Sequence, residues 1–132
     1  MKEPVWIDKG QVLAIHARQL SEHGGSSGVR DENLLESALA RPQNLLANSE
    51  NSPSLGHLAA AYAFGIARNY PFVDGNKRTA LVVSFVFLIL HGIVITATRE
   101  ERYFVFYDLA AGHISEEELT AWFEKNSAPA AG

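Results

Sequence analysis

A chain of 132 residues, 47% of them apolar and 20% charged, is long enough for one domain with a sizeable core and too apolar to be disordered as a whole. Its net charge of −4 and its pI of about 5.7 exclude a broad electrostatic footprint for DNA or RNA, so no direct nucleic-acid partner is expected; a small local anion site stays open to it. The absence of Cys excludes disulfides and thiolate metal sites and suits a reducing, cytoplasmic setting.

In chain order, residues 1–10 carry Glu3, Pro4, Asp8 and Lys9 and lack an apolar core, so no secretory leader is expected there. Asp8 predicts the cap of a first helix reaching about residue 22, with Leu13, Ala17 and Leu20 at helical spacing. The loop 23–28 is rich in Gly and Ser and ends it. Asp31 predicts the cap of a second helix bearing Leu34, Leu35, Ala38 and Leu39; Pro42 is expected to begin a separate short turn rather than to sit inside that helix. Residues 44–54 read as a polar loop, either a flap that holds a target chain or a simple connector.

A third helix is predicted over 54–68, rich in alanine, with Gly65 permitting close packing. A fourth starts near Asn76 and stops at Gly92. Its stretch 79–90 is too short for a membrane span, which needs about 20 apolar residues, and is expected instead to be the buried central helix. Residues 93–96 suit a short extended piece. Thr98 predicts a fifth helix through 111, whose aromatics Tyr103, Phe104, Phe106 and Tyr107 are expected in the core, with part of a docking surface for a partner helix as the alternative. Ser115 with Glu118 forms a capping box for a last helix to about 125. Five to seven helices without a strong strand pattern predict an all-α bundle, one domain over 1–126 followed by a small, frayed tail at 127–132.

The stretch 68–78 joins two strongly apolar helices and carries the chemistry. Gly75 permits a tight turn immediately before a helix starts. The first N–H groups of that helix have no intrahelical partner and bear the positive end of the dipole, a setting in which phosphate binds well. Asn76 adds an amide, Lys77, Arg78 and Arg68 add positive charge, and Asp74 supplies one carboxylate able to hold Mg²⁺ beside phosphate oxygens. Positioning, charge neutralisation and a metal are what phosphoryl transfer requires. An ordinary turn and cap with solvated cations is the competing reading of the same residues.

The segment Tyr70-Pro71-Phe72-Val73-Asp74-Gly75-Asn76-Lys77-Arg78 resembles the Fic-family motif His-Pro-Phe-x-Asp/Glu-Gly-Asn-Gly/Lys-Arg at eight of nine positions. Resemblance to the Doc branch extends to His16, Gly24-Gly25, the run 28–31, the run 34–42, Thr79-Ala80 and Gly92, and covers residues 7–125. Lys77 is the Doc-type residue. Adenylyl-transferring members carry Gly there and a further Arg at the position of Leu81, which makes adenylyl or other nucleotidyl transfer the weaker alternative. The resemblance implies a kinase that moves the γ-phosphate of ATP, with Mg²⁺, to a hydroxyl of elongation factor Tu and arrests translation, held in check by a Phd-like antitoxin. It further implies that Asp74 is the metal ligand, that Asn76, Lys77 and Arg78 contact phosphates with the helix N-terminus, and that Arg68 is a supporting contact.

The first motif position departs from the family. A His there would act as general base, and this chain has Tyr70. Imidazole titrates near about 6.5 and phenol near about 10, so a Tyr is a poor base at neutral pH. The expectation is a chain that keeps the fold and anion binding but has little or no transferase activity; a non-catalytic module that binds nucleotide or antitoxin is the alternative outside enzymology. His16 is expected to make a structural hydrogen bond rather than to catalyse. The five histidines offer no spaced zinc pair, and the run 116–118 of glutamates suits a helix start.

Overall fold

The computed structural model describes residues 3–131; the first two residues of the expected domain and the last residue of the expected tail lie outside it. Six helices are present among the described residues: α1 Lys9–His23, α2 Glu32–Asn48, α3 Leu55–Asn69, α4 Asn76–Leu90, α5 Arg99–Ala110 and α6 Glu116–Lys125. Two three-residue strands, β1 Ile93–Ile95 and β2 Ser127–Pro129, complete an all-α architecture. No described helix is long and apolar enough to cross a membrane.

Local chemistry sets most helix starts. Asp8, Asp31, Ser54, Thr98 and Ser115 each accept a hydrogen bond from the backbone N–H three residues on, and Asp8, Thr98 and Ser115 close full capping boxes. The central helix is α3, not the 79–90 stretch expected from its hydrophobicity. Residues 58–63 and 65–67 of α3 are all buried, because alanines and Gly65 let α2, α4, α5 and α6 pack around it. By contrast α4 leaves Ile89 and Leu90 exposed at its far end. The Tyr62 phenol lies in this core and bonds the backbone of Ile7; burial pushes its pKa up.

Pro42 corrects a second expectation. It sits inside a continuous α2 rather than starting a new turn. A proline in a helix interior leaves the carbonyl four residues back, here Ala38, without its usual donor. Gly65 of α3 faces that carbonyl: a Cβ on Gly65 would lie 3.1 Å from the Ala38 oxygen. The missing side chain lets α3 press against α2 where the proline has freed the backbone, and burial of Leu35, Ala38 and Pro42 offsets the lost hydrogen bond. The helix also absorbs residues 44–48 of the expected loop, because Leu45 and Leu46 pack against the core. A connector at 49–54 remains.

Two further expectations change. Of the α5 aromatics only Phe106 is buried; Tyr103, Phe104 and Tyr107 are exposed. The tail expected to fray from Ser127 instead forms β2, antiparallel to β1 in the register Ile93↔Pro129, and the Ala130 N–H donates to the Gly92 carbonyl at 2.8 Å.

Candidate functional site

The loop between α3 and α4 is bounded by two left-handed residues. Tyr70 caps α3 at φ 50°, ψ 54°, and Gly75 precedes α4 at φ 78°, ψ 16°. The second conformation favours glycine, and it turns the chain so that α4 begins at once. Tyr70 is the one non-glycine among the described residues with positive φ.

Three contacts hold the loop. The Asn76 side chain accepts from the Phe72 N–H and donates to the Phe72 carbonyl, both at 2.9 Å. Phe72, fully buried, stacks on His16 with ring centroids 3.8 Å apart and planes within 8°. The His16 Nε2 lies 2.8 Å from the Asp74 carbonyl oxygen, which matches the structural role expected of it. A second loop braces the first from outside. The Val73 N–H donates to the Gly28 carbonyl at 3.0 Å and the Arg30 N–H to the Pro71 carbonyl at 2.7 Å. The Arg30 guanidinium donates to the Tyr70 and Asn69 carbonyls at 2.6 and 2.8 Å, setting a cation on the negative end of α3.

What this scaffold presents is the N-terminus of α4. Its N-cap, Gly75, offers no side-chain hydrogen bond, whereas the other five helices all have one. The first N–H groups of α4 therefore have no side-chain cap, and the Asp74 carboxylate on the Gly75 N–H is the one acid beside them. They face a cleft of about 860 Å³ between α1, the motif loop, α4 and α5. Four cations, Lys77, Arg78, Arg99 and Arg102, line it against one acid, Asp74. The local balance is thus +3 in a chain whose net charge is −4. Arg102 is committed to the Ala97 and Ile95 carbonyls, and Lys77 lies over aromatic rings of α5. Among the described residues neither Arg78 nor Arg99 has a carboxylate within 4.0 Å.

The expected site residues divide. Tyr70, Asp74, Gly75, Asn76, Lys77 and Arg78 all line this cleft. The Asn76 amide, however, is consumed by Phe72, so Asn76 offers an anion only its backbone N–H. Arg68 faces elsewhere, into a second cleft of about 470 Å³ with Arg41, Phe64 and Glu116. It points away because it sits near the end of α3 on the side of α5's terminus, and its guanidinium lies over the Phe64 ring. Sequence reasoning missed Arg99 and Arg30. Their signals, a lone Arg behind a cap and an Arg in a glycine loop, acquire meaning only when α5 and the 25–31 loop are brought beside the motif.

Asp74 suits a metal that relies on its ligand for most of its shell. Its carboxylate is exposed to the cleft and accepts the Gly75 and Ser26 N–H groups at 2.8 and 3.2 Å. Among the described residues no group of three or more His, Cys, Asp or Glu is placed to hold a metal ion by itself. Mg²⁺ is bound in this manner, through one or two carboxylates with phosphate oxygens and water filling the rest. Tyr70 reaches across the cleft, and its hydroxyl donates to the Ala110 carbonyl at the end of α5 at 3.2 Å.

The chain is similar to known proteins. A model of the Fic/DOC family matches residues 6–88. The chain is 43% identical over 74 residues to "Toxin Doc" of Mycolicibacterium smegmatis, a stretch covering 56% of this chain and 57% of that one. It is 33% identical over 94 residues to "Protein kinase doc" of Escherichia phage P1, covering 71% of this chain and 74% of that one.

Proposed function

This chain belongs to the Fic/DOC family, and from that premise we propose that it is a Doc-type toxin whose cleft binds Mg²⁺ and ATP. On this reading the γ-phosphate passes to a hydroxyl of elongation factor Tu in the cytoplasm, translation stops, and a Phd-like antitoxin is the controlling partner. Toxin and kinase are words in the relatives' own names. The observation that carries the binding step is the uncapped N-terminus of α4, which opens onto a cleft lined by four cations.

Each residue then has a task. The first N–H groups of α4, with Lys77 and Arg78, hold the phosphates and offset their charge. Asp74 provides the protein's ligand to Mg²⁺, which would neutralise charge on the phosphate oxygens when bound. Loop 70–75 is kept rigid by Asn76, His16 and Arg30, so these donors are set before ligand arrives. Lys77 and Leu81 disfavour nucleotidyl transfer, because the small residue and second Arg of that branch are both replaced.

Tyr70 is where the reaction fails. Proton removal from the acceptor hydroxyl needs a base, and at this position the chain offers a phenol that already donates to Ala110. The reading is therefore a protein that binds Mg²⁺-ATP and transfers poorly. Titration of Mg²⁺-ATP by calorimetry tests the first half; no heat at millimolar nucleotide would end it. For the second half, Tyr70→His should raise phosphate incorporation into elongation factor Tu by about 10²- to 10⁴-fold, the usual contribution of a positioned base. Mass spectrometry of the treated target would separate added phosphate from an added nucleotide monophosphate. An unchanged rate in Tyr70→His would remove Tyr70 as the cause of impairment.

A further inference from the structure

We propose that Tyr103 and Tyr107 are positioning residues for Lys77, a two-ring cradle that holds its ammonium in the cleft without cancelling its charge. The Lys77 Nζ lies 5.1 Å from the Tyr103 ring centroid and 5.2 Å from that of Tyr107. The rings sit one helical turn apart on α5 and stack on each other, centroids 6.2 Å apart and planes 30° apart. Among the described residues no carboxylate lies within 4.0 Å of that Nζ.

This explains two otherwise disconnected facts. Tyr103 and Tyr107 are about half exposed, so core packing does not account for two aromatic rings in succession on that face of α5. Lys77 is a flexible side chain at the start of an uncapped helix, with no acid to fix it. An acidic partner would fix it too, but would also neutralise it and compete with any anion entering the cleft. A ring face attracts the ammonium through its quadrupole and carries no net charge. The cradle thus restricts the lysine's rotamers beforehand and leaves the whole positive charge to the ligand. That the ligand is a phosphate rests on the function proposed above; the holding of Lys77 by the two rings does not.

The experiment uses the full chain in four forms besides the parent: Tyr103→Phe with Tyr107→Phe, Tyr103→Leu with Tyr107→Leu, Lys77→Met alone, and the Leu pair combined with Lys77→Met. Nuclear magnetic resonance of the ligand-free protein reads the ring-current shift of the Lys77 side-chain methylenes. Calorimetry reads the affinity for Mg²⁺-ATP. The parent and the Phe pair should show an upfield shift and bind alike. The Leu pair should lose the shift and bind about tenfold more weakly, with that loss vanishing when Lys77 is Met. Because the rings are exposed, melting temperatures should confirm that all forms fold. Unshifted Lys77 methylenes in the parent, or an equal loss with and without Lys77, would overturn the proposal. A shift present in a protein that binds no nucleotide would support the cradle and remove the proposed function instead.

Discussion

Two clefts in this small domain are furnished with the same kinds of residue, and they differ in whether their charges are already spoken for. The larger has Lys77, Arg78, Arg99 and Arg102 against Asp74 alone, at the foot of a helix with no side-chain cap. The smaller has Arg41 and Arg68 within about 5 Å of the Phe64 ring centre but is also lined by Glu116, Glu117 and Glu118. There Arg41 pairs with Glu116 at 2.7 Å and His57 with the same carboxylate at 3.4 Å, and the nearby N-terminus of α6 is closed by Ser115. Unspent hydrogen-bond donors and uncancelled charge are what set the larger cleft apart.

The strongest way to break this contrast is to dismantle the loop that builds the larger cleft. Asn76→Ala leaves the buried N–H and carbonyl of Phe72 without partners at once. Unsatisfied buried groups cost about 1–3 kcal/mol each, so urea denaturation should show a loss of about 3 kcal/mol. A loss under about 1 kcal/mol would mean that the amide is not what holds the loop. The next largest effect sharpens the comparison directly. Arg78→Ala should weaken Mg²⁺-ATP binding by about tenfold, the scale of one charge-assisted hydrogen bond, while Arg68→Ala should leave it within about twofold. Calorimetry on the two variants side by side would reverse the assignment of clefts if Arg68 proved the more important.

Much of the contrast was legible in residue order, and the part that was not has a common cause. Helix starts at Asp8, Asp31, Thr98 and Ser115 are local events, decided within four residues, and so they stand where spacing predicts them. The turn at Gly75 is local too, and with it the cradle of N–H groups at α4. Arg68 was misplaced because its direction depends on where the end of α5 lies. Asn76 was assigned to the ligand because nothing in a linear string tells an amide that bonds inward from one that faces outward. Pro42 looked like a boundary because the compensating contact, Gly65 on α3, is a distant residue. The exposed face of α5 and the pairing of Ser127–Pro129 with Ile93–Ile95 are likewise set by long-range partners. Aromatic residues and a polar tail carry averages that point to core and to fraying, and the averages do not hold here.

The smallest effect would come from trying to turn the second cleft into the first. Glu116→Gln keeps the side chain's size and removes the charge that occupies Arg41. Arg41 has 45% of its side-chain surface accessible but Glu116 only 13%, so water screens the pair in part and its loss should cost about 1 kcal/mol, the upper end for a surface pair, in thermal or urea unfolding. The cleft's balance would move from two cations against three acids to two against two, still without the excess of the larger cleft. Ser115 would continue to close the N-terminus of α6, and Glu117 and Glu118 would remain. Inorganic pyrophosphate should therefore bind this variant as it binds the parent, with no second site in calorimetry. If freeing one arginine instead created a site of affinity comparable to the first, local charge pairing alone would govern anion binding in this fold. The uncapped helix at Asn76 would then lose its special standing.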